Sequence, residues 1–409
     1  MSHYTYLIVG GGMTAAAAVN GIREVEANGS IGLFSMESDP PYDRPPLSKS
    51  VWQGTALETI WRQLENQGVG FHLGCRVRSM DPHLKRIIDE KGTFHTFTKL
   101  LLATGGRPRR LTFGGNEIIY FRTVEDYRRL RALAERRQRF CVIGGGFIGS
   151  EVAAALAMNR KQVVMIIKDQ TIGSRVFPDD LGLYLNDYYR QKGVQLLTEA
   201  TVIDVEARGD CLAVKSRSLK TGSIREIMVD GVVAGIGIKP NVELAQAAGI
   251  KVENGIVVDE FLRTNYPDIY AAGDVAAFYN PSLGKRIRVE HEDNANTMGR
   301  LAGRSMAGAP EPYNHLPSFY SDLFELGYEA VGDLRATQAI ITDWKTPNQE
   351  GVIYYLDNTR VRGVLLWNVW GQVDAARSLI AEVGPFDRKN LNGYLPQMHQ
   401  DEKQAKSRE

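Results

Sequence analysis

The chain contains little cysteine. Cys75, Cys141 and Cys211 are its three, far apart and without C-x-x-C or C-x-x-x-x-C spacing. That argues against a disulfide framework and a zinc site, and three ordinary thiols with no bound metal are expected. Net charge is also nearly absent. With 49 basic and 48 acidic residues the balance is +1, so nothing steers the whole protein toward nucleic acid or an anionic membrane. No apolar run approaches the roughly 20 residues a spanning helix needs. The N-terminus enters a strand within a few residues, which leaves no room for a signal or transit peptide. The expectation is a cytoplasmic protein with no membrane span and no nucleic-acid partner.

At 409 residues the chain is too long for one ordinary core, so two or three domains are expected. Its centre of organisation is Phe140–Glu151, FCVIGGGFIGSE. An apolar run leads into Gly144, Gly146 and Gly149 in G-x-G-x-x-G spacing, and an alanine-rich helix is predicted from Glu151 to Met158. This is the order of a dinucleotide-binding turn. The first glycine permits the tight turn, the second lets backbone approach a pyrophosphate, and the third lets helix and strand pack closely. Tyr6–Val19, YLIVGGGMTAAAAV, repeats the pattern with Gly10, Gly12 and Ala15. Two such turns imply two nucleotides, read as FAD at the first and a nicotinamide at the second.

The first unit reads as strand Tyr4–Val9, helix Met13 to about Ala27 and strand Ile31–Ser35, with Glu37 roughly where a ribose-binding acid belongs. Next, the prolines of DPPYDRPPLSK hold the chain extended and present Tyr42, Arg44 and Lys49 at fixed positions. Short alternating runs (70–73, 76–80, 93–98) lead to an apolar strand ending in LLATGGRP. Strand-like sequence at Ile269–Ala272 then runs into Gly273-Asp274 and is expected to rejoin the first sheet. From about Leu316, aromatic and β-branched runs alternate at hairpin spacing, closed by helix near Gln372–Ala381. The expected architecture is α/β with two Rossmann-like dinucleotide-binding domains. The nicotinamide domain (111–237) is inserted into the FAD domain (1–110 and 238–315), and an α+β domain with an antiparallel sheet (316–400) and a polar tail (401–409) follow.

The combination GGGMTA, PYDRPPLSK, ATGG, GGGFIGSE, GIKPN and AAGD resembles the FAD-dependent pyridine nucleotide oxidoreductases, and among them the ferredoxin reductases of oxygenase systems. RVEHEDNA, GRLAGRSMAGA, GYEAVG and GVIYYL…GVLLWN bring it closest to the apoptosis-inducing-factor branch. The resemblance implies that Gly10, Gly12 and Ala15 take the FAD pyrophosphate with Arg44 along it, and that Asp274 accepts the ribitol hydroxyls. Ala103, Thr104 and Gly105 of ATGG, and Gly237 of GIKPN, join the cofactor-binding set. Lys49, held by Glu151, is implied at the reactive edge of the flavin, where an ammonium stabilises the reduced form. Phe147 is implied near the nicotinamide in the cradle of Gly144, Gly146 and Gly149. Glu290 and His291 match a stretch near both cofactors, and His291 joins Lys49 and Glu151 as a catalytic candidate.

Asp169 lies about 20 residues past Gly149, where a carboxylate pairs with the ribose of NAD. NADH is therefore expected over NADPH, although Lys168 and Arg175 pull the other way. Plainer readings remain open for Asp274 (a helix cap), Phe147 (core), His291 (structural) and Lys49 (a surface charge). The chain also departs from the family pattern. Met36 stands at the usual ribose acid, Tyr320 replaces a tryptophan beside the flavin, and the long last-domain loop of apoptosis-inducing factor is missing, so its cell-death role is not carried over.

The disulfide reductases of this fold keep a cysteine pair where this chain has DPPYDRPPLSK. Electrons are therefore expected to leave the flavin directly, first of all for an acidic iron–sulfur carrier of the ferredoxin or rubredoxin type. The alternatives are a quinone, oxygen or other small acceptor, or a redox-responsive binding protein with a long-lived reduced flavin–NAD complex; a monomer or homodimer fits each. A helix is predicted over Val124–Arg139, with Tyr127, Leu130, Leu133 and Ala134 on its apolar side. Opposite lie Arg128, Arg129, Arg131, Arg136 and Arg139, which form either a solvated face or a dock for an acidic carrier.

Overall fold

A computed structural model describes residues 2–395; the polar tail expected at 401–409 lies outside the described residues. By packing, the chain divides into two units, each gathered from three stretches. Unit 1 runs to Arg44 and adds Leu57–Arg107 and Lys239–Ser318. Unit 2 takes Pro45–Ala56, Pro108–Ile238 and the chain from Phe319 onward.

Unit 1 is built on a seven-stranded mixed sheet. Strand Ser2–Val9 lies parallel between Ile31–Phe34 and Phe94–Leu102, and Val69–His72 extends the sheet beyond Ile31–Phe34. As expected, Ile269–Ala271 returns to this sheet and pairs in parallel with Leu100–Leu102. Strand Arg86–Asp89, which the sequence reading missed, forms an antiparallel hairpin with the start of Phe94–Leu102. Helix Met13–Arg23 ends earlier than expected. Ile22 is its last fully buried apolar residue, and beyond it no apolar face is left to hold a further turn. This helix packs on Glu292–Met306 through small residues. A β-carbon on Gly299 or Gly303 would sit 2.4 or 2.1 Å from the carbonyl oxygens of Thr14 and Ala18.

Unit 2 holds a five-stranded parallel sheet, ordered 195–197, 162–166, 139–143, 231–234, 118–120. It also contains an antiparallel three-stranded sheet over 200–229 and an antiparallel five-stranded sheet from Ser318–Leu323 to Arg360–Trp367. Helix Val373–Ala381 packs on the latter, close to where the sequence put it.

Three expectations change in detail here. The helix after the second glycine turn starts at Phe147 rather than Glu151, directly behind Gly146. The arginine-rich helix is Val124–Arg136, opened by a Thr123–Asp126 capping box. Arg139 is not on it, because sheet pairing to 162–166 and 231–234 claims Arg139–Ile143 as a strand. Finally, the proline-rich loop is not extended throughout: Pro45–Ser48 and Ser50–Gln53 are short 3₁₀ turns flanking Lys49. Proline's fixed φ suits a first helical turn, so Pro45 and Pro46 start the turn rather than straighten it.

Candidate functional site

In unit 1, Gly10 has φ 128°, and a β-carbon there would lie 2.0 Å from the Ala103 carbonyl oxygen. Only glycine lets the chain cross so closely. At Gly12 a β-carbon would meet Arg44 Nη2 alone, at 3.9 Å, and no side chain caps the helix that begins there. Open space, first-turn N–H groups without a side-chain cap and a guanidinium together suit an anion. Arg44 Nη1 donates to the Tyr42 hydroxyl at 2.9 Å, Nη2 pairs with the Glu37 carboxylate, and Tyr42 donates to Glu37 Oε2 at 2.5 Å. Burial opposes the charge on Arg44, but Tyr42, Glu37 and Asp274 outweigh it and raise its pKa. Both oxygens of Glu37 are thus engaged within this clamp, while Met36 beside it is exposed.

Asp274 lies inside the turn Gly273–Val275 rather than at its N-cap, which is Ala272, and its carboxylate acts on both Arg44 and His291. His291, at the start of helix Glu292–Met306, is half-buried. Desolvation pulls its imidazole down to about 4 against the opposing pull of Asp274 and Asp293, so it is neutral at pH 7. Glu290 is exposed and pairs with Arg288 Nη1 at 2.8 Å. The ATGG turn is fastened by Asn241. Thr104 Oγ1 donates to its carbonyl at 2.7 Å, its Nδ2 donates to the Thr104 carbonyl at 2.8 Å, and its N–H reaches the Gly105 carbonyl at 3.0 Å.

Unit 2 repeats the cradle. A β-carbon on Gly149 would lie 2.1 Å from the Gly144 carbonyl oxygen, whereas one on Gly146 would meet nothing within 4 Å. Again no side chain caps the helix. Phe147 is part-exposed, its ring centroid 5.2 Å from that of Phe319. Asp169 is exposed three residues past strand Gln162–Ile166, and Lys168 and Arg175 are exposed as well. The Gly237 carbonyl accepts from Arg109 N–H at 2.9 Å. Both cradles fit a dinucleotide on these grounds, and unit 1 adds the cation.

Lys49 and Glu151, distant in sequence, meet in unit 2. Lys49 Nζ lies 2.7 Å from Glu151 Oε2, with side-chain exposures of 11% and 3%. A buried ion pair is stable only where further hydrogen bonds complete it, and losing one partner costs about 3–5 kcal/mol. Here Ser48 Oγ donates to Oε2 at 2.5 Å and Ser321 Oγ donates to Oε1 at 2.6 Å. The Tyr320 ring centroid stands 5.3 Å from Lys49 Nζ. The following turn is anchored by Trp52. Its Nε1 donates to the Leu47 carbonyl at 2.8 Å, its own carbonyl accepts from Asn159 Nδ2 at 3.1 Å, and Arg131 lies 5.5 Å over its ring. Beside Lys49 is a cavity of about 10 Å³ bounded by Trp52, Asn159, Asp322 and Phe324, room for one water.

Sequence reasoning singled out Lys49, Glu151 and Tyr320 but missed Ser48, Ser321, Trp52 and Asn159. Adjacency to Lys49 and Tyr320 was the only available signal for the serines, and serine carries no periodicity. Among the described residues no cluster of histidine, cysteine and carboxylate side chains could hold a metal, and no helix is long and apolar enough to cross a membrane.

A sequence profile described as pyridine nucleotide-disulphide oxidoreductase matches residues 4–299, and one for the C-terminal region of mitochondrion-associated apoptosis-inducing factor matches 339–382. The 5,5'-dehydrodivanillate O-demethylase ferredoxin reductase subunit of Sphingobium is 36% identical, over 96% of each chain. Apoptosis-inducing factor 1 of Dictyostelium discoideum is 33% identical over 93% of this chain and 79% of its own. Among solved structures, the covalent putidaredoxin reductase–putidaredoxin complex superposes with TM-score 0.87 at 30% identity, over 95% of each chain.

Proposed function

The chain belongs to the pyridine nucleotide-disulphide oxidoreductase family, and from that premise we propose that it carries electrons from NADH through FAD to a ferredoxin-type iron–sulfur protein. It is an oxidoreductase that uses FAD and a nicotinamide. FAD, when bound, supplies a hydride acceptor able to release its electrons one at a time. The protein's part is to bind, orient and balance charge. In unit 1 the turn of Gly10, Gly12 and Ala15 with Arg44 is suited to a pyrophosphate, the turn at Ala103, Thr104 and Gly105 completes the cradle, and Asp274 is an acceptor for polyol hydroxyls. In unit 2 the turn of Gly144, Gly146 and Gly149 is suited to the nicotinamide dinucleotide, flanked by Phe147 and Gly237. Asp169 favours NADH, since a carboxylate there repels a 2′-phosphate. Neutral His291, with Glu290 beside it, belongs to the same reading.

The observation that carries the proposal is the buried pair between Lys49, at the end of PYDRPPLSK, and Glu151 on the helix after the second glycine turn. Where disulfide reductases of this fold place cysteines, this chain fixes an ammonium, which stabilises charge that accumulates on a reduced cofactor. The ferredoxin acceptor is supported by relatives named as ferredoxin reductase components. The profile match at 339–382 favours a second reading, a redox-responsive protein whose reduced flavin–NAD complex persists. The expected cytoplasmic setting is part of the proposal and is tested by fractionation with a flavin assay.

Anaerobic reduction by NADH, followed by reoxidation with small ferredoxins, a quinone or oxygen, separates the two. Fast reoxidation by a ferredoxin supports the reductase. Slow reoxidation by every acceptor supports the persistent complex, and failure to take up FAD sinks both.

A further inference from the structure

We propose that Ser48 and Ser321 are positioning residues for Lys49, acting through the carboxylate of Glu151; this rests on the reading of Lys49 as the charge that favours reduced flavin. Three segments converge on that carboxylate. Ser48 ends the turn Pro45–Ser48, Glu151 stands on helix Phe147–Met158, and Ser321 lies in strand Ser318–Leu323. Oε2 receives Lys49 Nζ at 2.7 Å and Ser48 Oγ at 2.5 Å, and Oε1 receives Ser321 Oγ at 2.6 Å.

The last torsion of a glutamate is broad and does not hold its own carboxylate plane. A hydroxyl on each oxygen holds that plane, so Oε2 faces Lys49 in one orientation. Ser321 is also the chain neighbour of Tyr320, whose ring centroid is 5.3 Å from Nζ. One strand therefore touches both members of the ion pair. Tyr189 and Tyr328 also feel Glu151, and Tyr328 shares a side-chain hydrogen bond with Ser321. Burial, reinforced by Glu151, raises both well above the usual tyrosine value, so they stay neutral hydroxyls.

The test is the two-electron midpoint potential of the FAD-loaded protein, with FAD content and circular dichroism as controls for folding. Lys49→Ala is expected to lower the potential by about 30 mV, a tenfold change in the redox equilibrium. Ser321→Ala and Ser48→Ala each lower it in the same direction by a smaller step, and Ser321→Thr, which keeps the hydroxyl, restores it. In the Lys49→Ala background, Ser321→Ala adds nothing, because the contact of the serine with Tyr328 carries no charge and its effect on the potential passes through the pair. An unchanged potential in both serine variants, or an additive shift in the double variant, overturns the inference while the role of Lys49 stands. If Lys49→Ala itself leaves the potential unmoved, the role of Lys49 fails and the inference falls with it. Should Ser321→Ala not fold, Ser48→Ala alone and combined with Lys49→Ala decides the matter.

Discussion

Side chains that look alike in sequence have opposite surroundings here. Glu151 is buried and bonded to three donors, Glu37 is taken up by Arg44 and Tyr42, and Asp169 is exposed. Only Asp169 remains open to choose between coenzymes by charge. A hydrogen bond to a charged group contributes about 1.5–3 kcal/mol, and solvent around Asp169 argues for the low end. Asp169→Ala is expected to weaken NADH about tenfold, to leave NADPH unchanged or improved, and so to narrow the preference. Dissociation constants for both coenzymes check this, and a wild type that already prefers NADPH would refute the assignment.

Among the elements, helix Val124–Arg136 differs most from its sequence reading. Tyr127, Leu130 and Ala134 are buried as the helical period requires. Its arginines do not share one role, however. Arg128 pairs with Glu125 at 3.7 Å, Arg131 turns to Glu135, Asn159 and Trp52, and Arg139 leaves the helix to pair with Asp230 at 2.8 Å. Arg129 donates to the Asn116 carbonyl, so Arg136, together with Arg128 in its long i,i+3 pair with Glu125, is the place to test docking. Arg128→Glu with Arg136→Glu is expected to slow reduction of an acidic ferredoxin severalfold and flatten its salt dependence, while a small neutral dye is reduced normally. Equal effects on both acceptors would assign the helix to folding alone. Arg131→Ala is a different experiment, since it releases the ring that anchors the Lys49 turn.

For the whole molecule, the state of the Cys141 thiol follows from burial, and the acid limb of stability from burial of His291 and hydrogen bonding of Asp230. Cys141 is fully buried and its thiol is pushed up to about 12, which makes it inert at neutral pH. Replacing Cys141 by alanine and Cys75 and Cys211 by serine is expected to cost about 1 kcal/mol of stability and to leave NADH-to-flavin transfer intact. Loss of transfer in a folded protein would reveal a thiol relay.

His291 and Asp230 then predict two acid windows in the apoprotein. Unfolded histidine binds its proton near pH 6.5, whereas folded His291 waits until about 4. Between those values the unfolded chain holds the extra proton, so stability falls as pH falls, on the order of 2 kcal/mol in all, each unit being worth about 1.4 kcal/mol before allowing for partial exposure. Asp230, lowered to about 2 chiefly by its hydrogen bond from Arg139, acts in a second window between 3.8 and 2, where protonation again removes stability. Denaturant unfolding across pH should show the first loss vanish in His291→Gln and persist in Asp230→Asn.

Local chemistry determined much of this from sequence alone. The two glycine turns are legible because each position has its own steric demand, met by Gly10 against Ala103 and by Gly149 against Gly144. The strands around them are legible because apolar runs of that length must be buried, and the return of Ile269–Ala271 to the first sheet follows from the same rule. Tertiary structure decided where a competing partner outweighed a local preference. Sheet pairing took Arg139 from its helix, first-turn geometry bent Pro45–Ser48, and a nearby guanidinium and hydroxyl claimed Glu37. Only the fold could bring Ser48 and Ser321 to Glu151, because a serine leaves no periodic trace in sequence and a buried carboxylate must gather its donors from wherever the chain passes.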